Sequence, residues 1–310
     1  MPDTLLRLLL AGAVDYAGLF PPAGLDMAAA VREYAAHRGG PDAWALGRFV
    51  VPTSRLAELE RETDARAPRS PAEPWRLSAL LGADTAEELN ALDRFNRRHG
   101  VPSAAPGAAS LAVDVVEAKA DSVEAIDRLL DAMPTWAEAY VEIPLNTDPA
   151  PLVAAIALHG ARAKARTGGV TPDAFPEPAD LLRFLRACTA AAVPFKATAG
   201  LHHPLRAEYR LTYAPDSPRG TMFGFLNLFL AAAFLRQGMS DPDALQLLEE
   251  RSADAFRFGP DAIDWRGHHL DRAAIETARS RAIIAFGSCS FDEPVSEARR
   301  AGWLKSPRRT

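Results

Sequence analysis

Two lysines in the middle of the chain are the residues best suited to chemistry. Lys164 stands at the centre of the apolar segment 161–167, Lys196 stands at the centre of 194–200, and both segments run into glycine. A helix predicted at 180–191 lies between them, which is typical of neighbouring parallel strands joined by a crossover helix. A lysine buried in such strands is costly unless it is paired or used. The pair is therefore the first indication of function.

Two neighbouring lysines in an apolar setting are expected to have unusual acid–base behaviour. Burial destabilises the ammonium form, and like-charge repulsion lowers the pKa of each lysine further. A neutral lysine amine can attack a carbonyl carbon and form a Schiff base. Asp114 and Glu142 lie on the two preceding predicted strands, where a carboxylate is suited either to proton transfer or to a structural ion pair with a lysine. We predict Lys164, Lys196, Asp114 and Glu142 as the catalytic residues.

The elements that must position these residues alternate between strand and helix about eight times. The predicted strands are 15–20, 47–52, 75–81, 110–116, 139–144, 161–167, 194–200 and 255–259, with 282–286 competing for the eighth place. Eight alternations favour an α/β fold of the closed (β/α)8 type, a TIM barrel, over an open doubly wound sheet. The Gly-x-Gly-x-x-Gly pattern of a dinucleotide-binding fold does not follow the first predicted strand.

We predict that residues 1–310 form a single domain. A long polar loop is expected after the seventh strand at 202–219, and a C-terminal tail from about 287. Two proline-rich stretches, 64–74 and 101–109, are predicted as a surface loop and a linker. A loop as long as 202–219 is typical of a lid over a binding site.

The composition limits the partners of the chain. Its 310 residues are 48% hydrophobic and 24% charged, with a formal net charge of −5. This balance gives no basic surface for nucleic acid, and the two cysteines make neither a disulfide framework nor a zinc-finger pattern. We expect a cytoplasmic protein with a small-molecule partner and no membrane contact. The strongly apolar helix predicted at 222–235 leaves a homo-oligomer open.

Three short motifs resemble those of class I, Schiff-base aldolase barrels, the deoxyribose-phosphate aldolase group in particular. They are Val-Asp-Val-Val at 113–116, Ala-Lys-Ala-Arg-Thr-Gly-Gly at 163–169 and Phe-Lys-Ala-Thr-Ala-Gly at 195–200. The resemblance covers three strands and implies a lyase in which Lys164 forms the Schiff base, Lys196 lowers its pKa and Asp114 shuttles protons. The Lys-x-Thr-x-Gly pattern of the family's sixth strand stands here on the seventh. The choice of nucleophile between the two lysines therefore stays open.

Residues at the predicted strand ends suggest an anionic substrate, phosphorylated or carboxylated. Arg166 supplies a cation, and the following glycines are expected to leave backbone N–H groups open to an anion. The residues predicted to bind substrate are Arg166, Gly168, Gly169, Thr198, His202 and His203.

Two further functions are compatible with the same residues. In one, Glu142 and the histidine pairs 202–203 and 268–269 hold a divalent metal while the lysines bind substrate anions, as in a metal-assisted isomerase or hydrolase. In the other, the barrel is catalytically silent and binds a metabolite. We assign no cofactor and no metal ligands from the sequence.

Overall fold

The computed structural model describes residues 5–63, 74–99 and 111–305. Its strands are β1 (Val14–Tyr16), β2 (Leu46–Pro52), β3 (Trp75–Leu80), β4 (Leu111–Lys119), β5 (Glu138–Glu142), β6 (Arg162–Arg166), β7 (Phe195–Thr198), β8 (Ala207–Arg210), β9 (Arg219–Met222), β10 (Phe256–Phe258), β11 (Ala262–Trp265), β12 (His268–Asp271) and β13 (Ile283–Ser288). Strands β1 to β7 follow one another in parallel, and β13 pairs with both β7 and β1 to close the barrel. The predicted (β/α)8 TIM barrel is confirmed.

Helices surround this barrel. They are α1 (Leu5–Leu10), α2 (Met27–Gly39), α3 (Leu56–Thr63), α4 (Thr85–Arg98), α5 (Val123–Asp131), α6 (Ala150–Leu158), α7 (Pro178–Ala190), α8 (Phe225–Arg236), α9 (Asp241–Glu249), α10 (Arg272–Arg281) and α11 (Asp292–Arg300). Capping residues define several starts: Asp26, Asp84 and Ser122 accept hydrogen bonds from the backbone N–H three residues on. In the described part of the chain, no helix has the length and apolarity needed to cross a membrane.

The eighth barrel strand is not the one that we favoured from the sequence. Residues 255–259 contribute β10 to a three-stranded antiparallel sheet with β11 and β12, whereas β13 occupies the eighth place. The physical reason is burial: Ile283 and Phe286 are fully buried, while Arg257 in the middle of the short β10 is exposed. The segment predicted as a tail from 287 therefore begins with the end of a barrel strand and continues into α11.

The connection between β7 and β13 is also more structured than predicted. Within the segment expected to be a plain loop, β8 begins an antiparallel hairpin that β9 completes. The apolar helix α8 follows and is almost entirely buried, in contact with α7, α9 and α10. Its apolar surface is thus covered within this chain. The proline-rich stretches 64–74 and 101–109 lie outside the described residues, apart from Pro74.

A register shift in β4 decides which of its side chains enter the barrel. Leu77 pairs with Val113, but the next residue, Ser78, pairs with Val115, so Asp114 is an extra residue relative to β3. Such a bulge reverses the alternation of side chains beyond it. Simple alternation from Asp114 would direct residues 116 and 118 inward; after the bulge, Glu117 and Lys119 face the interior instead.

Candidate active site

An alternating chain of five buried charges runs across the interior of the barrel. Lys164 Nζ lies 2.8 Å from Glu142 Oε2 and 2.7 Å from Glu117 Oε2. Lys196 Nζ lies 2.7 Å from the other oxygen of Glu117 and also contacts Asp15 Oδ2. The order is therefore Asp15, Lys196, Glu117, Lys164, Glu142, which we call the charge chain.

Glu117 is the centre of the charge chain because both of its oxygens are engaged by lysines. Its side chain is 3% exposed, so both ion pairs are shielded from water. Ser78 Oγ adds a third donor by a hydrogen bond to Glu117 Oε1 at 2.5 Å. A buried carboxylate with three donors is held in one orientation.

Asp15 anchors the inner end of the charge chain from β1. One carboxylate oxygen contacts Lys196, and the other accepts the backbone N–H of Arg48 at 2.8 Å. Gly47 makes this approach feasible, because a Cβ at that position would lie 2.4 Å from Asp15 Oδ1. The close packing of β1 against β2 thus depends on a residue without a side chain.

Pairing reverses the acid–base behaviour that we expected from the sequence. Burial alone would lower the pKa of both lysines, but the carboxylates of Glu117, Glu142 and Asp15 raise the pKa of Lys164 and Lys196 above the ordinary value. Burial acts against ionisation of Glu117 and Glu142, yet the lysines hold the pKa of both carboxyls below its usual range. The predicted mutual lowering of the lysine pKa values is wrong, and the resting site holds ammonium–carboxylate pairs.

A cavity of about 330 Å³ opens above the charge chain at the carboxyl ends of the strands, where (β/α)8 barrels carry their catalytic groups. We call it the inner cavity. Its charged lining residues are Glu117, Lys119, Glu142, Lys164, Arg166 and Lys196, and its polar rim includes Thr198 and His202. A small molecule in this cavity would touch both lysines.

A second cavity, the outer groove, adjoins the first. It has a volume of about 670 Å³ and shares Lys119, Glu142 and Arg166 with the inner cavity. The remaining wall carries Asp121, Asp173 and Glu177, together with apolar residues such as Phe175. The two cavities are therefore adjacent and share those three charged side chains in their walls.

The structure brings together most of the residues predicted for the site. Lys164, Lys196, Glu142, Arg166, Gly169, Thr198 and His202 all line the inner cavity. His203, in contrast, turns away: it stacks on Tyr209 with ring centroids 3.5 Å apart, and its Nδ1 lies 2.9 Å from Glu297 of α11. It fixes the hairpin to the end of the barrel.

Asp114 needs correction as a catalytic candidate. Its carboxylate accepts hydrogen bonds from Arg48 Nε at 2.7 Å and from Arg76, and it does not line the inner cavity. Glu138, the first residue of β5, is 3.7 Å from the same Arg48, which places this network at the amino-terminal end of the barrel. The bulge explains the difference, because it directs Glu117 instead of Asp114 toward the inner cavity.

The two glycines predicted to bind an anion are also required by packing. A Cβ at Gly168 would lie 2.4 Å from Phe175 Cε1, and one at Gly169 would lie 2.7 Å from Ala174 Cβ. Gly169 lines the inner cavity, whereas Gly168 does not. The segment around Phe175 thus accounts for the small size of both residues, and their binding of an anion stays a prediction.

Two features of the site were missed from the sequence. The first is the pair of carboxylates Asp15 and Glu117: neither was assigned a role, and Asp114 was taken as the acid of β4. The second missed signal is composition: the chain has only four lysines among 35 lysine and arginine residues, and three of them, Lys119, Lys164 and Lys196, line the inner cavity. In a chain that otherwise uses arginine, this clustering was a further signal for the position of the site.

His202 and Cys289, which follow β7 and β13, form another part of the inner cavity wall. His202 Nδ1 lies 3.1 Å from Ser288 Oγ and 3.8 Å from Cys289 Sγ. Burial lowers the pKa of His202 to about 4 and raises that of Cys289 to about 11. At neutral pH this wall is therefore an uncharged imidazole beside an uncharged thiol.

Within residues 5–63, 74–99 and 111–305, no group of three or more His, Cys, Asp or Glu side chains is arranged to hold a metal ion. Glu142 faces Lys164, and the pair at 268–269 lies on β12, outside the barrel sheet. Of the two histidine pairs, only His202 lines the inner cavity together with Glu142.

Comparisons with known proteins leave the family open. No protein-family model and no curated protein matches this chain. Among solved structures, a nitroalkane oxidase from Streptomyces ansochromogenes is similar, with a TM-score of 0.32 and 17% identity. The matched region covers 65% of this chain and 62% of that one, so the chain spans less than two thirds of its length. A similarity this distant carries no argument about function.

Proposed function

We propose that this protein is a lyase of the aldolase type, in which Lys164 forms a Schiff base with a small carbonyl compound that bears an anionic group. The observation that carries the proposal is the charge chain, which presents two lysines and two glutamates to one cavity at the carboxyl ends of the strands. The local resemblance to Schiff-base aldolases adds support to the same chemistry.

Lys164 is the better nucleophile of the two lysines. Lys196 is 1% exposed and is held between Asp15 and Glu117, with its Nζ 5.5 Å from the ring centre of Tyr140. Lys164 is 5% exposed and neighbours Glu142, which is at the boundary with the outer groove. A carbonyl entering from solvent reaches Lys164 and Glu142 first, and Lys196 keeps Glu117 charged and oriented.

The raised lysine pKa is compatible with imine formation because the charge is conserved. The Lys164 ammonium passes a proton to Glu142, the free amine attacks the carbonyl carbon, and the oxygen leaves as water after taking up that proton and one from the nitrogen. The product is a protonated imine, so Glu117 and Glu142 again face a cation. The imine then withdraws electrons while the bond beside the former carbonyl carbon breaks, and Glu142 is placed to accept a proton.

Reductive trapping tests the proposal. Sodium cyanoborohydride with a panel of aldehydes and ketones should give a covalent adduct by intact mass, located on Lys164 by peptide mapping. The adduct should disappear in Lys164→Ala and persist in Lys305→Ala, since Lys305 is the only lysine of the sequence outside the inner cavity. An adduct on Lys196 alone would reassign the nucleophile, and no adduct on either lysine would contradict Schiff-base chemistry.

A second function is favoured by one observation, the raised pKa of both lysines. Ammonium groups that stay protonated can polarise a carbonyl oxygen while Glu142 removes the neighbouring proton, which is the chemistry of an isomerase without a covalent intermediate. Deuterium incorporation into the substrate from heavy water, with no adduct under borohydride, would favour this function over the first.

A further inference from the structure

The side chains shared by the two cavities suggest how a ligand lies in the site. Lys119, Glu142 and Arg166 belong to both walls, while Lys164 lines the inner cavity only. Lys164 and Arg166 are two residues apart on β6, so their Cα atoms are about 6.6 Å apart along one face of the strand. A ligand with its reactive carbon at Lys164 therefore has its next few atoms beside Arg166.

The charges around the inner cavity do not balance. The carboxylates of Asp15, Glu117 and Glu142 face the amines of Lys164 and Lys196 in the charge chain. Lys119 Nζ, 3.6 Å from Glu142 Oε1, neutralises the one remaining carboxylate. Arg166 is then a surplus cation.

Among the charged residues that line the inner cavity, Arg166 is the one without an ion-pair partner in the described structure. No described carboxylate lies within the 4.0 Å ion-pair distance of its guanidinium, although Arg166 contributes to lowering the pKa of Glu142. An exposed guanidinium at the boundary of two cavities is suited to binding a carboxylate or a phosphate through two parallel N–H donors. One negative charge on the ligand would complete the balance.

The residues around Arg166 favour a ligand group with one negative charge over a group with two. Asp121, Asp173 and Glu177 line the outer groove and would repel a phosphate dianion that extended into it. A Cβ at Gly168 or Gly169 would collide with Phe175 or Ala174, so packing accounts for both glycines without a bound phosphate. A carboxylate needs only the guanidinium.

We infer that the substrate is an oxo acid, whose carbonyl carbon meets Lys164 and whose single carboxylate is bound by Arg166 with help from Lys119. This inference rests on the proposed function for its reactive carbon, but the carboxylate site stands on its own residues. The rest of the molecule extends toward the outer groove.

Competitive trapping with three three-carbon carbonyl compounds tests the inference. Pyruvate carries one carboxylate, hydroxyacetone carries no charge and dihydroxyacetone phosphate carries a phosphate. We expect pyruvate to form the Lys164 adduct at least about tenfold faster than either of the other two compounds. A tenfold ratio is what the charge-assisted hydrogen bonds between one guanidinium and one carboxylate supply. Arg166→Gln should remove that preference, whereas Arg166→Lys should keep part of it. Arg97→Gln, an exposed arginine of α4, serves as the control and should change nothing.

Calorimetric titration with pyruvate and with inorganic phosphate separates the two proposals. If dihydroxyacetone phosphate is trapped as fast as pyruvate, or if Arg166→Gln keeps the preference, the oxo-acid inference is overturned while the Schiff-base function stands. If no ligand is trapped but pyruvate binds more tightly than phosphate and loses affinity about tenfold in Arg166→Gln, the carboxylate site stands and the Schiff-base function fails. If none of the three ligands is trapped and pyruvate does not bind either, both are overturned.

Discussion

At the scale of single residues, the site depends on Glu117 more than on either lysine. It is the one carboxylate of the charge chain that contacts both Lys164 and Lys196, and it is almost fully buried. Ion pairs of this kind add little net stability relative to apolar packing, but removing one partner leaves uncompensated charge in a dry interior. Glu117 is therefore the position at which a small chemical change has the largest effect.

Glu117→Gln tests this dependence. The substitution keeps the size of the side chain but removes the charge opposite two ammonium groups, so we expect a loss of about 3–5 kcal/mol in the free energy of unfolding. Urea denaturation measures it. The matched control is Glu58→Gln, whose surface pair with Arg55 should be worth about 1 kcal/mol or less. Equal losses in the two variants would show that Glu117 does not hold the lysines together.

At the scale of secondary-structure elements, the packing of the 172–175 segment against the ends of β6 and β7 shapes the wall between the two cavities. Phe175 Cε1 would lie 2.4 Å from a Cβ at Gly168 and 2.8 Å from one at Gly200. Both strand ends are thus restricted to glycine by one aromatic ring.

Gly168→Ala should destabilise the protein by about 1–3 kcal/mol, since the ring of Phe175 must move to accept the methyl group. Adding Phe175→Leu should recover part of that loss, so the two substitutions are expected to be non-additive in a double-mutant cycle. Gly39→Ala, at the end of α2 with open space around its Cβ position, is the control and should be neutral or slightly stabilising. Simple additivity at 168 and 175 would contradict the contact.

The strand pattern of the sequence predicted most of the barrel but not its exceptions. Alternation of apolar strands and helices identified seven barrel strands, and alternation within β6 and β7 correctly brought Lys164 and Lys196 to one face. The extra residue at Asp114 could not be found this way, because a bulge is a property of the pairing between two strands and has no clear signal in one of them. The eighth strand was misplaced for a similar reason: Phe-Arg-Phe at 256–258 and the run at 283–288 both have strand propensity, and only barrel closure chooses between them.

At the scale of the whole molecule, the buried charges should limit stability at both ends of the pH scale. The lowered pKa of Glu117 and Glu142 contributes stability that is present above their ordinary value of 4.5 and is lost as the pH falls below it. The raised pKa of Lys164 and Lys196 contributes stability that is present below their ordinary value of 10.5 and is lost as the pH rises above it.

His202 adds a dependence on pH in the mildly acidic range. Its pKa is about 4 in the folded protein against an ordinary 6.5, so the unfolded chain binds the extra proton first as the pH falls. Because of this difference in the His202 pKa, we expect the free energy of unfolding to fall by about 3 kcal/mol between pH 6.5 and 4. In urea denaturations across this pH range, His202→Asn should reduce the dependence of the free energy of unfolding on pH. His269→Asn, at an exposed position of β12, should leave that dependence unchanged. An unchanged slope in His202→Asn would show that the imidazole is not held neutral.

The scarcity of lysine has a practical consequence for this protein. Three of the four side-chain amines open into one cavity, and the fourth, Lys305, is at the far end of the sequence. Lys164 and Lys196 are buried ammonium groups, so reagents that acylate or alkylate primary amines would modify the exposed Lys119 and Lys305 first. Protection of Lys119 by a candidate ligand, with Lys305 as the reference, gives a screening signal that requires neither a known reaction nor a known product.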